Sequence, residues 1–360
     1  MGLSDLLSSF SAKPVTTTSN RVVGIDIGAS SIKVVELQNR ENVVTLTTYG
    51  ELELGPYDEE KPVGQSVSLT AQLERQALVD ILRESAVKAR QAVFAMPLAS
   101  SFVTVMPIQA PADEDVSPRV RVEARKYIPV PIAEVTLDWA EVDNGANSET
   151  TRDVLLAAIQ NDALKRFTTL MQTVEFANPP IEIECFSAIR SLYTDEQPDM
   201  AIIDVGAIST KLYIVRGGLL QRMYRVRAGG ALCTEKIATT LSCTFEEAEA
   251  LKRTITNEHP RFAEVVKIHQ VAYDRVLKEF QQVITDYETR VGAPVPQVLL
   301  IGGGVLFPNF ASYVSTHLNR PATLAQPFNK VAYPAFMEDT MNVIGSSFAV
   351  ALGAALRAFE

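Results

Sequence analysis

Two textures of apolar residue alternate along the chain. Short runs rich in Val, Ile and Leu lie between longer stretches in which apolar residues return every three or four positions. The first texture predicts buried strands and the second amphipathic helices. Residues 22–27 and 32–37 are two such runs around a tight Gly-Ala-Ser-Ser turn, which predicts a hairpin. Residues 200–205 and 210–215 predict a second hairpin. Residues 70–89 predict a helix with Leu73, Ala77, Leu78, Ile81 and Leu82 on its apolar side.

Strands are expected at 92–97, 102–108, 135–142 and 154–159, with a polar turn over 143–152. Helices are expected at 116–127, with Ser117-Pro118 as cap and first position, and at 161–174. Residues of about 100 to 178 therefore read as a small α+β unit inserted into the chain. Beyond it come a strand at 181–185 and a helix at 186–193. Helices follow at 234–242, 244–254 and 263–290, then a strand at 297–301 and helices at 307–318 and 346–359. Leu3, Leu6, Leu7 and Phe10 could share one face of a short N-terminal helix. A helix that short is marginal in water, so residues 1–19 read as a flexible segment, with a docking or membrane-touching helix as the alternative.

The turns carry the chemistry. Asp26-Ile-Gly28-Ala29-Ser30-Ser31-Ile-Lys33 and Asp204-Val-Gly206-Ala207-Ile-Ser209-Thr-Lys211 share one pattern, Asp-x-Gly-Ala-x-Ser-x-Lys. They lie 204 − 26 = 178 residues apart, about half the chain, which suggests two homologous lobes. A glycine in such a turn lets backbone approach a ligand closely, and successive turn N–H groups form a nest for anionic oxygens. Asp26 and Asp204 end apolar strands, where a carboxylate is costly unless paired. A hydrated Mg²⁺ between them, completed by phosphates, would pair both. Lys211 repeats Lys33 but reads as surface decoration. A third glycine-rich turn, Gly302-Gly303-Gly304, follows an apolar strand. It lacks the third glycine of a dinucleotide fingerprint, and no Walker A loop occurs.

Composition removes several alternatives. The 43 acidic residues outnumber the 33 basic ones, for a net charge of −10, which argues against a nucleic-acid partner. Cys185, Cys233 and Cys243 are few and scattered, so neither a disulfide framework nor a CxxC site is expected. The three histidines have no metal-ligand spacing. No signal peptide is read at the N-terminus, and no apolar run reads as a membrane span.

Two Asp-x-Gly hairpins, connecting helices and a Gly-Gly-Gly turn, in this order, resemble the actin, chaperone and sugar-kinase ATPase superfamily. The resemblance implies phosphate loops at 26–33 and 204–211 and an adenosine loop at 302–304. It also implies that Glu249 and Lys252 contact ribose and adenine. Within the superfamily the chain resembles most the PilM family of type IV pilus assembly proteins. The resemblance rests on Val23–Leu37, on Glu123-Ala-Arg-Lys-Tyr-Ile-Pro129 with Leu137-Asp138, on Arg225 with Gly229-Gly230, on Phe245–Glu249 with Lys252, and on Gln326-Pro327-Phe328. It implies an α/β, two-lobed actin-like ATPase fold with duplicated ribonuclease-H-like lobes and an inserted α+β subdomain. The expected division is 1–19 flexible; 20–100 and 179–200 first lobe; 101–178 interaction subdomain; 201–325 second lobe; 326–360 returning to the first.

The implied function is an ATP-binding cytoplasmic scaffold, peripheral to the inner membrane. It would use ATP and Mg²⁺, with Asp26 and Asp204 at the metal. Its partners would be the N-terminal tail of a PilN-like protein and other pilus assembly platform proteins, and a homo-oligomer is compatible with it. Tyr127, Pro129 and Trp139 are candidates for a peptide groove, Trp139 equally for strand packing. Glu184, at the end of its strand, is the candidate for orienting an attacking water, equally a solvated strand-end carboxylate. The alternatives are an FtsA-like division ATPase, which a C-terminal amphipathic membrane helix would favour, and a metabolite kinase.

Overall fold

The structure is a computed structural model. It describes residues 20–359 apart from 59, 60, 112, 113, 143–149, 175, 177, 178, 197 and 198. The N-terminal segment 1–19 and most of the expected 143–152 turn lie outside the described residues.

Two five-stranded sheets repeat one topology. In the first, β1 (Arg21–Ile27), β2 (Ser31–Arg40) and β3 (Val43–Glu53) run antiparallel, and β4 (Gln91–Met96) joins β1 in parallel. The insert follows, as β5 (Ser101–Gln109), β6 (Val135–Val142) and β7 (Thr151–Gln160). Then β8 (Ile181–Ile183) completes the first sheet in the order β3-β2-β1-β4-β8. The second sheet contains β9 (Met200–Val205), β10 (Thr210–Arg216), β11 (Leu219–Val226), β12 (Val298–Ile301) and β13 (Ala322–Leu324). Its order, β11-β10-β9-β12-β13, and its antiparallel-then-parallel pairing copy the first. The β2–β3 and β10–β11 pairings each carry a bulge, at Glu36/Leu37 and at Ile214/Val215. The duplicated lobes expected from the repeat are present.

Sequence patterning misses β3 and β11. Both are half-exposed edge strands with mixed burial, so neither shows the dense cluster of Val and Ile that reveals β1 or β9. Helix α1 (Ala71–Glu84) starts where Thr70 accepts a hydrogen bond from Leu73 N–H, a side-chain N-cap. In the insert, α2 (Ser117–Glu123) is shorter than expected and continues as a 3₁₀ turn, Ala124–Lys126. Ser117-Pro118 lies inside it, and the Asp115 carboxylate accepts from Ser117 N–H and Oγ instead. The antiparallel sheet β5-β7-β6 packs α2 and an apolar cluster on one side. On the other side α3 (Asn161–Thr173) joins the first lobe's core.

Two helices link the lobes. Helix α4 (Glu184–Leu192) follows β8, and after α5 (Gly230–Leu241), α6 (Phe245–Thr254), α7 (Phe262–Val291), α8 (Phe310–Leu318) and α9 (Glu338–Ile344) comes α10 (Ala349–Leu356). The α10 backbone at Gly353 crosses the α4 backbone at Ser187 so closely that a Cβ would collide with it. Alongside, Glu182 is buried with Arg190, Arg357 and Ser187. The run Ala335–Leu356 is long and apolar enough to cross a membrane, contrary to the sequence expectation. Its 18-residue window is 67% buried inside the protein, as in the core helix of a globular fold.

Candidate functional site

The hairpins face one cleft of about 580 Å³ between the lobes, and every nucleotide-site candidate named from the sequence lines it. The two turns are built alike. Gly28 N–H donates to Ser31 O at 2.9 Å and Gly206 N–H to Ser209 O at 3.0 Å. The first turn is held by its carbonyls, Ser30 O accepting from Leu54 N–H and Ala29 O from Val67 N–H. The second is held by the first turn of α5, where Gly230 and Ala231 N–H donate to Gly206 and Ala207 O. The glycine-rich turn closes the floor. Gly302 has φ +89, and a Cβ there would meet Val205 O at 2.5 Å and Asp204 Oδ1 at 2.8 Å, so only glycine fits beside the carboxylate.

Strand register sets three side chains in a row in each lobe. In the first, Asp26 opposes Lys33 and Lys33 opposes Glu51. In the second, Asp204 opposes Lys211 and Lys211 opposes Arg225. Lys33 Nζ pairs with Glu51 at 2.8 Å and donates to Ser31 Oγ at 2.8 Å. Burial would raise the Glu51 pKa, but Lys33 and Ser31 hold it below its ordinary value. Asp26 keeps a partial opening onto the cleft yet lies deep between the lobes. Burial, with Glu184 and Asp204 adding, pushes its pKa from 3.8 up to about 7 against the pull of Lys33.

Lys211 is not surface decoration. It is buried, with Nζ 2.8 Å from Glu184 Oε2 and 2.9 Å from Asp204 Oδ2. Burial opposes its charge, but the two carboxylates hold its pKa above the ordinary lysine value. Glu184 is the first residue of α4 rather than the end of a strand. It is buried, not solvated, and its other oxygen accepts from Leu98 N–H at 2.7 Å. The repeat itself marked Lys211. What sequence could not supply was its pairing with Glu184, brought to it from the other lobe.

At the far end of the cleft Glu249 is buried among Thr234 Oγ1 at 2.5 Å, Lys252 at 2.6 Å and Arg253 at 2.6 Å. Burial alone would raise its pKa, but these partners lower it. Lys252 also donates to Gly230 O at 3.1 Å, tying α6 to α5. Arg253 reaches across to Glu53 of β3 at 2.6 Å, a bridge between lobes that sequence reading missed. Behind the glycines, the buried His269 ring stacks on Phe307 with centroids 3.8 Å apart. Burial drops its pKa to about 3.

The peptide-groove candidates lie elsewhere. Tyr127 and Trp139 are half-buried against the insert's own core, and Pro129 is exposed. The described residues hold no group of three or more His, Cys, Asp or Glu able to bind a metal. An ion at Asp26 and Asp204 would thus need ligands from phosphate and water, as Mg²⁺ accepts.

The profile of the type IV pilus assembly protein PilM family matches residues 24–359. The solved PilM–PilN type IV pilus biogenesis complex is similar at 24% identity and a TM-score of 0.79, over 94% of this chain and 98% of that one. The ethanolamine utilization protein EutJ of Carboxydothermus hydrogenoformans matches at 14% identity and TM-score 0.55, over 98% and 96%. MreB 5 of Spiroplasma citri bound to AMPPNP matches at 13% and 0.52, over 94% and 96%. These likenesses bear out the actin-like ATPase fold. With the profile spanning nearly every residue, the chain belongs to the type IV pilus assembly protein PilM family.

Proposed function

We propose that this chain is a cytoplasmic, nucleotide-gated scaffold of type IV pilus assembly, clamping Mg-ATP between its lobes. The observation that carries the reading is the pair of register-matched Asp–Lys rows facing one cleft from homologous strands. The AMPPNP bound by the similar MreB 5 supports it. In this reading the turn at Gly28, Ala29, Ser30, Ser31 and Lys33 and the turn at Gly206, Ala207 and Ser209 hold phosphates. Gly302, Gly303 and Gly304, with Gly230, Glu249 and Lys252, hold the nucleoside. Mg²⁺, held by Asp26 and Asp204, would neutralise phosphate charge. Glu184 would orient water, and turnover is slow or absent because both its oxygens are already engaged.

The partner is the N-terminal tail of a PilN-like inner-membrane protein, which keeps the chain at the membrane surface. The solved PilM–PilN complex supports this choice. Segments 20–100, 179–200 and 326–360 act as one lobe, 201–325 as the other and 101–178 as the docking unit. A ligand shifts the lobes only by its differential affinity for open and closed forms. The test is calorimetric titration of the full chain with a PilN-like tail peptide, with and without Mg-ATP. Binding whose affinity changes at least several-fold with nucleotide supports the gated scaffold. Tight binding indifferent to nucleotide removes the gating, and no binding removes the partner.

A further inference from the structure

The cleft is lined by six Lys and Arg residues, and five are spoken for. Lys33 pairs with Glu51, Arg166 with Glu74, Lys211 with Asp204 and Glu184, Lys252 with Glu249, and Arg253 with Glu53 and Glu249. The sixth, Arg225, has no ion-pair or hydrogen-bond partner among the described residues. Its Nε is buried with nothing to donate to. A buried donor left unmade costs the full desolvation of that group, and a guanidinium cannot escape by losing its proton.

Position gives this orphan a purpose. Arg225 sits on β11 directly across from Lys211, which sits across from Asp204. It therefore ends the second lobe's row where Glu51 ends the first lobe's. Glu51 neutralises Lys33; Arg225 instead adds a second positive charge beside Lys211, whose own charge the two carboxylates absorb. Among the described residues the second lobe thus presents one uncompensated planar cation to the cleft, with a fork suited to phosphate oxygens.

We infer that Arg225 is a phosphate-binding residue, the second lobe's cation for the polyphosphate tail of the nucleotide. This rests on the nucleotide reading above and adds to it a residue outside both turns. An arginine kept for a ligand costs stability in the empty protein and returns it on binding. A structural arginine does the reverse, so the two roles separate in one experiment.

Nucleotide-stripped full-length wild type, Arg225→Gln and Arg225→Lys are titrated calorimetrically with Mg-ATP, and each apo protein is melted. Arg225→Gln should bind Mg-ATP about ten- to a hundredfold more weakly, with an apo melting temperature unchanged or raised. Arg225→Lys should recover part of the affinity. Equal Mg-ATP affinity in wild type and Arg225→Gln overturns the inference and leaves the nucleotide reading standing. Weaker binding with an equally weakened apo protein, unrescued by lysine, also overturns it by making Arg225 structural. Wild type that binds no Mg-ATP overturns both.

Discussion

The two lobes place the same strands, the same turn and the same Asp–Lys pair against one cleft, yet wire them differently. In the first lobe the lysine turns away from its aspartate to Glu51, and Asp26 is left with its pKa raised to about 7. In the second the lysine clasps its aspartate and also takes Glu184 from the opposite lobe. One lobe thus keeps a carboxylate poised near neutrality; the other commits its aspartate, with Glu184 from across the cleft, to a buried cation that ties the lobes together. One duplicated motif can supply both a responsive site and a fixed joint, because the third residue of the row differs.

Removing the two lysines should break the comparison most visibly. Lys211→Ala leaves Asp204 and Glu184 buried without their cation and should cost about 3–5 kcal/mol. Lys33→Ala breaks a pair whose glutamate side chain is 37% exposed, and should cost about 1 kcal/mol or less. Urea unfolding of both variants measures the difference, and equal costs would erase the contrast.

The aspartates should differ in sign. Asp204→Asn weakens a charge-assisted bond to Lys211 and should cost about 1–3 kcal/mol. Asp26 is a carboxylate with a raised folded pKa. Its favourable contribution is full below the unfolded value of 3.8 and is lost as pH rises to about 7. Asp26→Asn should therefore stabilise the apo protein at pH 8, by on the order of 1 kcal/mol once cleft water is allowed for. Melting at pH 5 and pH 8 reads both.

Histidine 269 supplies the opposite slope. Its folded pKa, about 3, lies below the ordinary 6.5, so its contribution is lost as pH falls from 6.5 toward 3. Wild type should lose roughly 1 kcal/mol from this group between pH 7.5 and 6. His269→Gln should flatten that fall, while Asp26→Asn should steepen it. Smallest of all, Arg253→Ala breaks the Glu53 bridge from a side chain 45% exposed. It should cost less than about 1 kcal/mol, and added salt should shrink the effect.

Much of this was legible beforehand, for physical reasons. Strands β1, β2, β9 and β10 are buried on both faces and read as short runs rich in Val, Ile and Leu, so both hairpins and their repeat stand out. The helix expected over 244–254 is likewise present as α6, which a capping box of Thr244 and Glu247 starts. Edge strands β3 and β11 lacked such a signal. So did the partners of Lys211 and Arg253 and the place of Arg225 at the end of its row, because a row across strands, or a bridge across lobes, joins residues far apart in the chain. Glu53 and Arg253 are 200 positions apart, and no local pattern connects them.

The central claim is that the cleft between the rows binds nucleotide. The most direct test is the melting temperature of nucleotide-stripped wild type and Lys33→Ala, with and without Mg-ATP. At about a hundredfold excess over Kd a specific ligand adds roughly 2.7 kcal/mol, a rise of several degrees for a chain this size. Wild type should show that rise and Lys33→Ala a smaller one. No rise in wild type would contradict the claim, leaving an actin-like scaffold that works without nucleotide.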